Sequence, residues 1–107
     1  MNTLDKKFFE AVENNKPAEV KFYLLAGADV SVKNKYGITA LIRASSGGYT
    51  EIIKMLLEKG ADANVSDRGG WTAFNYAFHR GRTEVVTLLK QHEAREWMNL
   101  TKNFSKL

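Results

Sequence analysis

The stretch Asn34–Ser66 reads N-K-Y-G-I-T-A-L-I-R-A-S-S-G-G-Y-T-E-I-I-K-M-L-L-E-K-G-A-D-A-N-V-S, and it decides the fold because the chain repeats it. Moved forward by 33 residues, Gly37 falls on Gly70, Thr39 on Thr72, Ala40 on Ala73, Ala44 on Ala77, Gly48 on Gly81, Glu51 on Glu84 and Leu56 on Leu89. Moved back by 33, Ala44 falls on Ala11, Ile53 on Val20 and Leu57 on Leu24, while Gly60-Ala61-Asp62 lands on Gly27-Ala28-Asp29. A fixed period of this length marks a stack of short units, each stable only against its neighbours.

Within one period the signals alternate between helix and turn. Thr39 is placed to cap a short helix from about Ala40 to Ser46. Gly47-Gly48 turns the chain, and Thr50-Glu51 opens a second helix with the acid favourably near its positive end. Ile52, Ile53, Met55, Leu56 and Leu57 form its buried side, and Gly60 ends it. The following Ala61–Gly70 has no strand-length apolar run, so it predicts a projecting hairpin finger; Val30–Gly37 is the same finger one unit earlier.

The outer units vary the theme. In the first, Leu4, Phe8, Phe9, Ala11 and Val12 recur at helical spacing; Asn14-Asn15 stops that helix, and Pro17 opens the next. Val20, Phe22, Tyr23, Leu24 and Leu25 are expected to be its buried side, with Gly27 as the cap. In the third, Thr72 caps a helix of Phe74, Tyr76, Ala77 and Phe78, and Val85, Val86, Leu88 and Leu89 populate its partner. There the pattern breaks. Lys90 stands where Leu24 and Leu57 stood, Glu93 where Gly27 and Gly60 stood, and Arg95 where Asp29 and Asp62 stood. A charge in place of Leu is what an outermost unit needs, so the third unit reads as the sealed end of the stack. Without the glycine the last helix runs on. Trp97, Leu100, Phe104 and Leu107 form one stripe, expected to fold back over that end or to serve as a docking or self-association surface.

The 107 residues suit one domain, with 44% apolar and 26% charged residues, an ordinary balance for a folded soluble protein. With no cysteine, disulfides and thiolate metal sites are excluded. No apolar run reaches the roughly 18 residues of a membrane span, and Met1–Lys7 lacks the apolar segment of a secretory signal. These features predict a cytoplasmic protein. The net charge of +4 is spread among acids, with no basic block, and supports nucleic-acid binding only weakly.

The 33-residue helix–loop–helix unit with fingers resembles the ankyrin repeat, whose pattern is D-x-x-G-x-T-P-L-H-x-A-A followed by G-H-x-E-V-V-x-L-L-L-x-x-G-A-D-V-N. Asn34–Ala44 matches it at Gly37, Thr39, Leu41 and Ala44; Asp67–Ala77 matches at Asp67, Gly70, Thr72 and Ala77. Glu51-Ile52-Ile53, Glu84-Val85-Val86, Gly27-Ala28-Asp29-Val30 and Gly60–Asn64 continue the match, which covers roughly residues 5–94. Two departures stand out. The pattern's Pro is Ala40 and Ala73, and its His is Ile42 and Asn75, so the usual Thr–His ties between repeats are replaced.

The resemblance implies an all-α solenoid of three repeats, about 1–33, 34–66 and 67–94, with 95–107 as a C-terminal helical tail or cap. It also implies non-catalytic protein binding through a concave face of fingers and first helices, without a cofactor. Carried over position by position, the binding residues are Lys33, Lys35, Tyr36, Ile38 and Ser46 in the second unit and Ser66, Arg68, Trp71, His79 and Arg80 in the third, with Glu13 from the first. Trp71 is the strongest candidate hot spot, since it sits beside two glycines where no core needs an indole; the alternative is that it packs on the neighbouring finger. The basic residues favour an acidic protein partner. The competing readings are a weak nucleic-acid or acidic-surface binder, and a monomer that becomes a dimer through its tail. Catalysis is not expected. His79 and His92 lie 13 residues apart with no local partner, the latter read as a last-turn residue, and neither glycine doublet fits a phosphate loop. Members of the family also occur as effectors delivered by pathogens, so export stays open.

Overall fold

A computed structural model describes residues 1–105, with side chains through Lys102. Those residues form six helices: α1 (Thr3–Glu13), α2 (Pro17–Leu25), α3 (Ala40–Gly47), α4 (Thr50–Glu58), α5 (Ala73–His79) and α6 (Thr83–Ser105). They are paired as three hairpins. α3 packs between α1 and α5 in one row, and α4 between α2 and α6 in the other. The only extended pairings among the described residues are isolated antiparallel bridges, Lys33–Thr39 and Ser66–Thr72.

Local chemistry sets each boundary. The Asn2 side chain caps α1 by accepting from the Asp5 N–H at 2.8 Å, and Asn15, at φ 51°, ends the hairpin's first arm. Pro17 occupies the first turn of α2, where its missing N–H costs nothing. Thr39 Oγ1 accepts from the Ile42 N–H at 3.1 Å. α2 and α4 end alike. Gly27 (φ 100°) and Gly60 (φ 85°) take the left-handed conformation, and the next residue's N–H reaches back, Ala28 to the Tyr23 carbonyl and Ala61 to the Leu56 carbonyl, both at 3.0 Å. Glu93 cannot adopt that conformation as cheaply as glycine, and α6 continues through it.

The core runs the length of the stack. Phe8, Val12, Val20, Leu41, Ile42, Ile52, Ile53, Leu56 and Val85 are almost wholly inaccessible. Ile42 is buried where the family pattern has its His, so apolar contact replaces that hydrogen bond. At the equivalent Asn75 a polar solution appears instead: its Oδ1 accepts from the Thr72 N–H at 2.9 Å while Thr72 Oγ1 accepts from the Asn75 N–H at 3.2 Å, a reciprocal capping box.

Four expectations are corrected. Phe22 and Leu25 are exposed, not buried. Phe22 occupies the position of Met55 and Leu88, which are half-buried in the two later repeats, where a described repeat packs before them. Leu25 occupies the exposed position of Glu58 and Gln91. The tail does not fold back within the described residues: α6 is continuous, and Trp97 stays 67% exposed with Leu100 also in solvent. Leu107 and the side chain of Phe104 lie outside the described residues. His92 is therefore mid-helix rather than in a last turn, and its Nε2 meets Glu96 Oε1 at 3.0 Å, one turn on. Finally, the third unit is not sealed. Lys90 faces solvent as expected, but so does Phe78, 71% exposed.

Candidate protein-binding face

The two fingers are the same turn built twice. At the first position Asn34 or Asp67 accepts onto Oδ1 two backbone N–H groups: Tyr36 (2.9 Å) and Ile38 (3.0 Å) in one finger, Gly69 (2.9 Å) and Trp71 (3.0 Å) in the other. Three residues on, Gly37 (φ 76°) and Gly70 (φ 84°) donate to the Asn34 and Asp67 carbonyls, each at 3.0 Å. An Asx side chain at the start and a left-handed glycine at the end are what this tight turn requires.

The fingers are joined to each other. The Arg68 N–H donates to the Tyr36 carbonyl at 3.0 Å. A Cβ on Gly37 would lie 3.1 Å from Arg68 N and 3.3 Å from Asp67 Cα, so glycine permits the close approach as well as the turn. A second tie joins the repeats lower down, where Arg82 Nε donates to the Ser46 carbonyl at 3.2 Å.

An aromatic cluster stands on the second finger. Trp71 is 37% exposed, with its ring 5.2 Å from Tyr76 and 5.2 Å, edge to face, from His79. Trp71 thus packs its ring on two aromatic side chains of α5, the helix of its own repeat. The Tyr76 hydroxyl donates to Asp67 Oδ2. That bond, foremost, with the backbone N–H groups of Trp71, Gly69 and Gly70, holds the Asp67 carboxyl below its ordinary range against the opposing effect of desolvation. The same bond, with burial and the carboxylate's charge, pushes the Tyr76 phenol up. One finger over, Tyr36 is 56% exposed with the Lys35 ammonium 5.1 Å from its ring centre.

The remaining candidates divide. Lys33, Lys35, Ser66, Arg68, His79, Arg80 and Glu13 are exposed. Ile38 is half-buried and packs on the core. Ser46 is 8% exposed, its backbone committed to Arg82, and offers no side chain to a partner. Tyr76 and Asp67 are the residues that sequence reasoning missed as parts of this face. No periodicity links them across the finger.

The histidines are engaged with Trp71 and Glu96, and no cluster of three or more His, Cys, Asp or Glu fit for a metal occurs among the described residues. No helix among them is long and apolar enough to cross a membrane.

Comparison with protein-family models matches residues 8–99 to ankyrin repeats, in three copies. No curated protein matches the chain. Ankyrin repeats are generally non-catalytic modules of protein–protein interaction. With the family's model spanning most of the sequence and the three hairpins stacked as it requires, the chain belongs to the ankyrin repeat family.

Proposed function

We propose that this chain binds a protein partner through the face formed by its two fingers and the exposed side of α5, with Trp71 and Tyr36 as anchors and an acidic segment of the partner as the preferred ligand. The supporting observation is the arrangement of Trp71: an indole left partly open to solvent yet packed against the rings of Tyr76 and His79. A large side chain already fixed in place loses little freedom when a partner covers it. Tyr36 extends the patch, because the Arg68–Tyr36 backbone bond sets the spacing between the fingers. Lys33, Lys35, Arg68 and Arg80 are all exposed and rim the patch with positive charge.

The test is capture of partners by the full chain beside the double variant Trp71→Ala, Tyr36→Ala. A protein retained by the wild type, lost by the variant and released by moderate salt supports this face. Equal retention by both would place the binding surface elsewhere.

A further inference from the structure

The repeat symmetry allows each position of the third unit to be compared with its buried counterparts. Val12 and Ser45 are fully buried; Phe78, the third of the set, is 71% exposed. Val20 and Ile53 are fully buried; Val86 is only half so. The positions that lose their cover are those that face the following repeat. The second row agrees: Leu24 shares a groove with Met55, and Leu57 shares one with Leu88 and Gln91, each from the next repeat. Lys90, their equivalent, therefore points off the end of the stack. The outward face of the third unit is thus the same interface that joins the repeats, left open by the described residues. Its aromatic pair, Phe74 and Phe78, is stacked with ring centres 6.2 Å apart.

α6 extends this face. Val86, Lys90, Glu93, Trp97 and Leu100 are separated by four, three, four and three residues, the spacing of a coiled-coil seam. Lys90, Glu93, Trp97 and Leu100 line one shallow groove. The seam's order is self-complementary. When two such helices run antiparallel with the axis between residues 91 and 92, Lys90 meets Glu93 of the other copy twice, and Val86 meets Trp97 twice.

We propose that a second copy of this chain occupies the open end of the stack, the two α6 helices pairing antiparallel so that Lys90 and Glu93 exchange partners across a two-fold axis. The pair is isologous and closes on itself. The alternative head-to-tail stacking is opposed by the first unit, which carries Lys7 where Ala40 and Ala73 are buried, and Glu19 where Ile52 and Val85 are buried. Setting those charges on Phe78 would desolvate them without partners. At the roughly 200 Å² that one aromatic residue offers, Phe78 and Trp97 bring on the order of 500 Å² of exposed ring to the pair. Val86, Leu100 and the Lys90 and Glu93 stems add to it, toward the roughly 1,000 Å² that a specific interface needs. This is the size of a reversible dimer.

The measurement is sedimentation equilibrium of the full chain from micromolar to millimolar concentration. The wild type is expected to pass from one chain to two. Lys90→Glu alone and Glu93→Lys alone set like charges in contact and are expected to weaken the dimer by at least roughly tenfold. The two together restore the pairing with its signs reversed and are expected to recover it. Trp97→Ala is expected to weaken it as well. All these side chains are exposed, and unchanged circular dichroism would show the stack intact. A single-chain mass at every concentration, single swaps without effect, or a double swap that does not recover would each overturn the proposal. The Trp71→Ala, Tyr36→Ala variant is expected to dimerise like the wild type, which separates this face from the proposed partner-binding one.

Discussion

The Tyr76 hydroxyl donates to the carboxylate of Asp67, nine positions earlier in the chain, and so fastens the second finger to α5. Asp67 accepts on its other oxygen from Gly69 and Trp71. One side chain therefore shapes the turn, orients the backbone of the candidate anchor and holds the finger to the stack.

This bond makes the finger sensitive to pH in a definite direction. The Asp67 carboxyl lies below its ordinary value of 3.8 in the folded protein. A depressed acid contributes stability that is complete above the unfolded value and is lost as pH falls through the lower, folded one. Tyr76 is raised above 10.0, so its contribution is complete below that value and is lost as pH rises through the folded one. The pair is thus intact between about pH 4 and pH 10. Tyr76→Phe is expected to return the Asp67 carboxyl toward 3.8, read by carbon-detected NMR titration. An Asp67 titration unmoved by that change would show that the phenol is not what stabilises the carboxylate.

Gly37 and Gly70 offer a controlled comparison. Both are left-handed, at φ 76° and 84°, so Ala at either costs about 1 kcal/mol of backbone strain. A Cβ at Gly70 meets nothing within 4 Å, whereas one at Gly37 lies 3.1 Å from Arg68 N. Gly37→Ala must therefore also push the fingers apart and strain the Arg68–Tyr36 bond. It is expected to lose about 1 kcal/mol more than Gly70→Ala in urea unfolding. Equal losses would mean that the fingers adjust freely.

Ser45 carries a buried hydroxyl without a hydrogen-bond partner. Such a group costs about 1–3 kcal/mol relative to one left in water, and alanine is also the better helix former. Ser45→Ala is expected to raise stability, by up to about 1 kcal/mol after the small loss of packing. The urea midpoint measures it, and a clear fall would mean that the hydroxyl is satisfied in solution.

Much of this was legible in the sequence because repetition supplies three readings of each position. The period placed the helices, and the glycines at 27 and 60 gave their ends in advance. The absence of that glycine at Glu93 foretold the long α6. What the sequence obscured was which neighbour covers a residue. Phe22 and Phe78 look like core by composition, yet each lies in an outer unit of the described stack and is left exposed by the described residues. Lys90 looked like a seal, but one charge on α6 does not cover an aromatic pair on α5. Ser46 occupied a family surface position and is nonetheless buried, its carbonyl tied to Arg82, a residue no motif marks. The Asp67–Tyr76 bond crosses a turn and follows neither helical nor strand periodicity.

The two anchors of the candidate face differ in what removing them should do. Tyr36 projects from its finger and touches Lys35, so Tyr36→Ala is expected to leave stability nearly unchanged. Trp71 is packed on Tyr76 and His79, and its loss is expected to cost about 1 kcal/mol of fold stability through those ring contacts. Both contribute to the same patch, and their combined removal is expected to weaken a captured protein partner by at least about 2 kcal/mol, roughly thirtyfold. Calorimetry well below the variant's unfolding midpoint keeps the two effects apart, since there the stack is folded in both proteins. Affinity that survives the double change, with the fold confirmed, would move the recognition surface away from the fingers and leave Trp71 as a brace for the Asp67 turn.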